Sequence, residues 1–274
     1  MKQRSNPLFL AFLYVLLAVA GITMLLPFIW QILTSFKFLE DVTNANIWPR
    51  HWQPDNYHRV FQQINYARYY VNSVAVAAAV TLIQVLTSAM AAYAFSRLQW
   101  RGRDGVFLAY LGTMMVPGVV TMIPNFAIMW KLGLYNTYAG LILPAAFSAF
   151  GTFLIRQYMV GIPLSLNEAA RIDGASEWQT FWDIILPLTK PALVTLAIFT
   201  FIGNYSSFFW PLIMVKDEGL RTLPIGLMYF DTSYGTETNL LMAASVMAIL
   251  PLIIIFVIFQ KQIVSGLQVG AVKG

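Results

Sequence analysis

Six stretches of this chain contain no Asp, Glu, Lys, Arg or His: 5–36, 69–96, 105–130, 132–155, 191–215 and 238–260. A helix needs about 20 mostly apolar residues to cross a hydrocarbon core, and every stretch is that long. In lipid each backbone amide must find its partner within the protein, so only helices and closed barrels cross. The alternating pattern of a barrel strand is missing, which leaves helices. Composition agrees. Charged residues make up 11% of the chain, against about 25% in a soluble domain. The expected fold is all-α: a polytopic membrane protein forming a single transmembrane domain over 1–274. Its six spans are predicted at about 8–36, 70–96, 106–130, 138–158, 191–213 and 239–260.

Lys2 and Arg4 followed by an apolar run resemble a signal peptide, with Ala18-Val19-Ala20 as a cleavage site. The apolar run continues through Leu25, Leu26, Phe28, Ile29 and Trp30. Signal peptides normally have about 7–15 apolar residues, so an uncleaved first span is expected. Orientation follows from the basic residues. With both termini inside, the inner segments hold ten basic and five acidic residues, the outer segments seven of each. Both ends are therefore expected in the cytoplasm. The net charge of +5 is dispersed, with none of the clustering that a nucleic-acid surface needs.

Within the spans, small residues crowd 75–94 (Ala75, Ala77, Ala78, Ala79, Ala89, Ala91, Ala92), as in a helix packed centrally in a bundle. Pro117-Gly118, Pro124, Pro144, Gly203, Pro211 and Pro251 interrupt others; such breaks occur where transporters line a path. The most polar interruption is Asn204-Tyr205-Ser206-Ser207, followed by Phe208. Amides and hydroxyls beside aromatic faces suit a sugar, so Asn204, Tyr205, Ser206, Ser207 and Phe208 form the candidate solute path. Interhelical hydrogen bonding beside an aromatic belt explains the same residues equally well.

The loop 163–187, expected on the cytoplasmic side, reads as two short helices. Ser165 and Glu168 have capping-box spacing, so a helix is predicted from Ser165, with Gly174 as its stop. Ser176 and Gln179 repeat the spacing. Trp178, Phe181, Trp182 and Ile185 then fall at i, i+3, i+4 and i+7, one apolar face expected to pack on the chain's own spans. In the first helix Ala169 and Ala170 lie among Glu168, Arg171 and Asp173. Small residues ringed by charge admit a docked protein and fix its register; a plain helical hairpin is the alternative.

Glu168-Ala169-Ala170, Gly174 and Ile184-x-Leu186-Pro187 stand at the spacing of the EAA motif, and the loop resembles that of the permeases of ABC importers. Thr34-Ser35-Phe36-Lys37, the 131–137 and 241–245 stretches and the glycine-rich end from Gly266 resemble the carbohydrate-importing, maltose-transporter-type branch. The chain has Tyr205-Ser206-Ser207 where many members carry Trp-Asn-Asp or Trp-Asn-Glu. The resemblance implies a coupling helix, Glu168, Ala169, Ala170, Arg171, Asp173 and Gly174, seated on an ATPase subunit. It also implies a tail over 261–274 reaching the ATPases through Gly270, Lys273 and Gly274. The implied partners are a homologous second permease, two ATPase subunits, an extracytoplasmic solute-binding protein docked partly on the outer loop 37–69, and membrane lipid in the bacterial cytoplasmic membrane. No nucleic acid is implied.

No Gly-x-x-x-x-Gly-Lys phosphate loop occurs, so no cofactor is expected on this chain; ATP and Mg would sit on the partner subunits. His51 and His58 lack metal-ligand spacing, and no nucleophile–base constellation is visible. The expected function is import of a sugar or oligosaccharide by alternating access. The alternative is the same architecture moving a polyol or glycerophosphodiester. A membrane-embedded enzyme is a distant third, because it would need ionisable groups that the spans lack. A passive channel would not need the loop.

Overall fold

The computed structural model of the chain describes residues 7–44, 46–232 and 235–271. Helices carry the architecture. Among the described residues, the strands are a two-residue antiparallel ladder in which Asp231 faces Thr236 and Thr232 faces Gly235. Pro7–Ser35, Tyr66–Ser96 and Thr238–Ala271 are long helices, each with a segment apolar and long enough to cross a membrane. Three bent helix pairs also qualify when each is taken as one span, which gives up to six. The chain is thus an all-α polytopic membrane protein.

It divides into two compact units. The first comprises Met1–Tyr66 and Leu227–Leu250. Its Pro7–Ser35 helix ends in a polar cap that satisfies the carbonyls a helix terminus leaves open. Asn56 Nδ2 donates to Ser35 O at 2.9 Å and Lys37 O at 2.8 Å, and the Ser35 and Tyr57 hydroxyls lie 2.7 Å apart. The Lys37 ammonium is buried, donates to Asn46 O at 2.7 Å, and has its pKa lowered by that burial. Phe36 packs on Trp52 and Tyr57 with centroids 5.4 and 5.2 Å apart. The segment after the first helix is therefore an ordered cap.

The second unit comprises Ala67–Gly226 and Pro251–Gly274. The alanine-rich helix Tyr66–Ser96 is 28% buried across its apolar window, against 17% for the last helix and 0% for the first. Ala77, Ala89 and Ala92 are fully buried, so small side chains let neighbouring backbones close in.

The third predicted span differs from the expected kinked rod. Arg103–Met115 and Gly118–Lys131 meet at 100°. A residue before proline is pushed out of the helical region, and Val116 adopts φ −83°, ψ 119°. The helix stops there and restarts at Gly118. Tyr138–Ala145 and Ala149–Val160 meet at 44°, with the Ser148 hydroxyl accepting from Gly151 N at 3.0 Å to start the second piece. Glu177–Leu188 and Lys190–Tyr205 meet at 76°.

Candidate functional site

The loop from Gly161 to Thr189 is built from local signals. Ser165–Ile172 is helical. The capping box expected at Ser165 is not formed: Leu164 occupies the N-cap, in a helical conformation and without a side-chain bond, which places Ser165 inside the first turn. The stop is as expected. Gly174 takes φ +82°, a left-handed conformation open to glycine without a Cβ penalty. Gly174 N donates to Arg171 O at 3.1 Å and Ala175 N to Ala170 O at 2.9 Å, the paired bonds of a Schellman motif. The second box is complete, with Gln179 N donating to the Ser176 hydroxyl at 3.2 Å and Ser176 N to Gln179 Oε1 at 2.8 Å.

The predicted apolar face of the second helix is only half right. Phe181 and Ile185 are buried, whereas Trp178 is 58% and Trp182 37% exposed. The cause is a π-helical stretch, Thr180–Ile185, in which Leu186 N bonds to Phe181 O. Bonding five residues back widens the turn, so residues spaced for an α-helix no longer share one face. Phe181 and Ile185 join Ala89, Ala92, Tyr93, Ile155, Met159, Ala192 and Leu196 in one buried cluster. The loop is thereby fixed to three spans.

The Ser165–Ile172 helix projects from this base. Glu168, Ala169, Arg171, Asp173 and Gly174 are exposed and Ile172 is 85% exposed. Ala170 and Asn167 are buried, so only Ala169 of the alanine pair offers its methyl outward. Arg171 reaches back over the glycine turn, with Nη2 at 2.6 Å and Nε at 3.0 Å from Glu177 Oε1. Tyr93 OH donates to Glu177 Oε2 at 2.7 Å. These bonds hold the Glu177 carboxyl below its ordinary pKa, Tyr93 contributing most and Arg171 adding to it, while partial burial opposes them.

Between this helix and residues 97–100 lies a cleft of ≈ 640 Å³ lined by Arg97, Trp100, Asn167, Glu168, Arg171 and Glu177, among others. Arg97 Nη2 donates to Met159 O and, at 2.8 Å, to Ile162 O. A cation at a helix C-terminus meets the negative end of its dipole. The buried Arg97 Nε and Asn167 Oδ1 have no protein partner.

A second cavity, ≈ 550 Å³, lies where the broken helices converge. Its walls include Gly118, Pro144 and Pro211 at or near the helix breaks, the polar side chains of Ser73, Asn125, Asn204, Ser207 and Thr222, and the rings of Phe208, Phe209 and Trp210. No lining side chain is charged. The Lys190–Tyr205 helix ends at the polar interruption, with Ser206 as its C-cap. Asn204, Ser207 and Phe208 line the cavity. Tyr205 turns into the protein, 4% exposed and stacked on Phe201 at 5.9 Å, and Ser206 is exposed away from the lining. Gly270 falls in the last helix; Lys273 and Gly274 lie outside the described residues.

Tyr93, Arg97 and Glu177 at the loop, and Asn125 and Thr222 at the cavity, were not anticipated. Tyr93 and Arg97 lie more than sixty residues from their partners, a separation without a local pattern. Thr222 Oγ1 is buried without a protein partner. Among the described residues no group of three or more His, Asp or Glu is arranged to hold a metal ion.

A family model described as the binding-protein-dependent transport system inner membrane component matches residues 84–269. An arabinooligosaccharides transport system permease protein of Halalkalibacterium halodurans is 36% identical, covering 100% of both chains. A trehalose/maltose transport system permease protein of Thermococcus litoralis is 37% identical over 95% of this chain and 97% of its own. A crystal structure of a bacterial ABC transporter that imports the acidic polysaccharide alginate superposes with a TM-score of 0.84 at 27% identity, covering 95% of this chain and 98% of that one.

Proposed function

The chain belongs to the family of binding-protein-dependent transport system inner membrane components, and from that premise we propose that it is the permease subunit through which an ATP-driven importer moves a sugar or oligosaccharide. The named functions of its relatives, arabinooligosaccharide and trehalose/maltose transport, support the carbohydrate class. So does the cavity, where uncharged amides and hydroxyls face aromatic rings. Such a wall offers hydrogen bonds to sugar hydroxyls and apolar contact to ring faces. A bacterial alginate ABC transporter in complex with an alginate pentasaccharide-bound periplasmic protein, 16% identical with a TM-score of 0.62, shares the fold.

In this reading ATP and Mg are held by two ATPase subunits, because the chain has no phosphate loop of its own. A homologous second permease completes the path, and an extracytoplasmic binding protein delivers the solute to it. Both termini and the loop 163–187 face the cytoplasm. Closure of the ATPases pushes on Glu168, Ala169, Arg171, Asp173 and Gly174, and the movement opens the path alternately to each side. The tail residues Gly270, Lys273 and Gly274 meet the ATPases.

The observation that carries the coupling role is a short, exposed helix closed by a glycine turn and fixed through Phe181 and Ile185 to a cluster shared by three spans. Force applied to it reaches the bundle instead of bending a free loop. The purified assembly, reconstituted with its binding protein, tests the reading. Neutral oligosaccharides should stimulate ATP hydrolysis. Stimulation by a polyol or glycerophosphodiester, with none by any sugar, would replace the substrate class and leave the architecture standing.

A further inference from the structure

We propose that Glu177 is a positioning residue, the middle of a Tyr93–Glu177–Arg171 linkage that makes the Ser165–Ile172 helix move as one piece with the Tyr66–Ser96 span. The inference rests on the coupling role assigned above and names the side chains that carry it.

The two Glu177 oxygens are divided between two structural elements. Oε1 receives both Arg171 contacts, at 2.6 and 3.0 Å, from the projecting helix. Oε2 receives the Tyr93 hydroxyl at 2.7 Å, from the span. Charge-assisted bonds of this length are about twice as strong as neutral ones. Each end of the linkage is itself held. Tyr93 is 5% exposed and packs edge-on against Phe181, centroids 5.2 Å apart. Arg171 lies in the last turn before Gly174, whose paired backbone bonds bring it over the turn toward Glu177. Glu177 follows Ser176, whose capping box with Gln179 fixes the local backbone. Asn167 and Ala170 turn inward while Glu168, Ala169 and Ile172 face solvent, and Glu168, the nearby carboxylate one turn earlier, makes no ion pair with Arg171 among the described residues.

The apolar anchors Phe181 and Ile185 lie beyond Glu177 in sequence and hold the far side of the hairpin. Without the linkage the projecting helix would keep its buried Asn167 and Ala170 and its backbone connections but lose its charged tie to the Tyr66–Ser96 span. A push on it would then be absorbed by rotation about the Gly174 turn. The linkage converts that soft joint into a stiff one, and a carboxylate serves because its two charged oxygens can accept from a phenol and a guanidinium in different directions at once.

The test measures solute moved per ATP hydrolysed in proteoliposomes containing the full assembly and its binding protein. Tyr93→Phe removes one hydroxyl and keeps the ring; Glu177→Gln keeps the shape and removes the charge. Each should lower the ratio by about tenfold, the worth of one charge-assisted bond, and the double variant should lower it no further. Affinity purification of each variant checks that the ATPases and second permease still assemble. An unchanged ratio in either single variant, whatever its abundance, overturns the proposal, and so does a double variant whose loss is the product of the single losses. If the wild-type assembly hydrolyses ATP without moving solute, the transport reading itself fails, and the linkage proposal that rests on it falls with it.

Discussion

Arg97 shows how one side chain far along the sequence can shape the loop. It closes the Ala149–Val160 helix by donating to Met159 O and Ile162 O, just before the projecting helix begins. Replacing it with Met removes both bonds and takes the donor from Ile162 O, while Met159 O keeps Ile162 N at 3.0 Å. We expect a loss of about 2–3 kcal/mol, read as a lower unfolding temperature in detergent. Gly174 is a different case. A Cβ there meets nothing within 4 Å, but φ is +82°, so Gly174→Val strains the backbone by about 1–2 kcal/mol without a clash. Uptake should fall while membrane abundance stays near wild type; normal uptake would count against the coupling role. Glu177 adds a pH dependence. Its pKa is lower in the folded loop than in the open chain, so its stabilising contribution is complete above the ordinary carboxylate pKa and lost as pH falls through the folded value. Amide protection across 165–179, taken relative to the intrinsic exchange rate at each pH, should fall on acidification, and less so in Glu177→Gln.

At the scale of elements, local chemistry was legible and long-range chemistry was not. The Ser176–Gln179 box and the Gly174 stop involve residues within a turn of one another, and both formed as the sequence predicts. The helix begins at Ser165 as the sequence predicts, but without the expected box, because Leu164 takes the cap. The apolar face failed at Trp178 and Trp182 because α-helical spacing was assumed through a π-helical stretch. Pro117 announced an interruption, but its size, 100°, depends on neighbours that a linear pattern does not contain. The candidate path residues divide: Asn204, Ser207 and Phe208 line the cavity and Tyr205 does not, since helix termination at Ser206 decides which side chains turn inward. Close packing gives a further test. A Cβ at Gly140 would collide with the Leu134 carbonyl and lie 2.6 Å from Met214 Cε. Gly140→Ala should cost about 1–3 kcal/mol, seen in thermal unfolding of the purified protein.

For the whole molecule, the proposed orientation is open to direct measurement. The chain has no cysteine, so single thiols can be introduced without background. In right-side-out vesicles Trp52→Cys should react with a membrane-impermeant maleimide and Lys273→Cys should not; the reverse pattern would invert the assignment. The π-helical stretch sets how the hairpin is phased against the bundle. A widened turn holds one residue more than an α-turn needs. Deleting one residue from 180–185 would let the segment relax with the two flanking limbs nearly in phase, whereas adding one to the ordinarily wound turn at 186–188 would set them apart in azimuth by about 100°, the rotation of a single helical step. After such an addition the handle would survive intact yet point elsewhere, so a lengthened chain should insert and fold but present its docking surface to empty solvent.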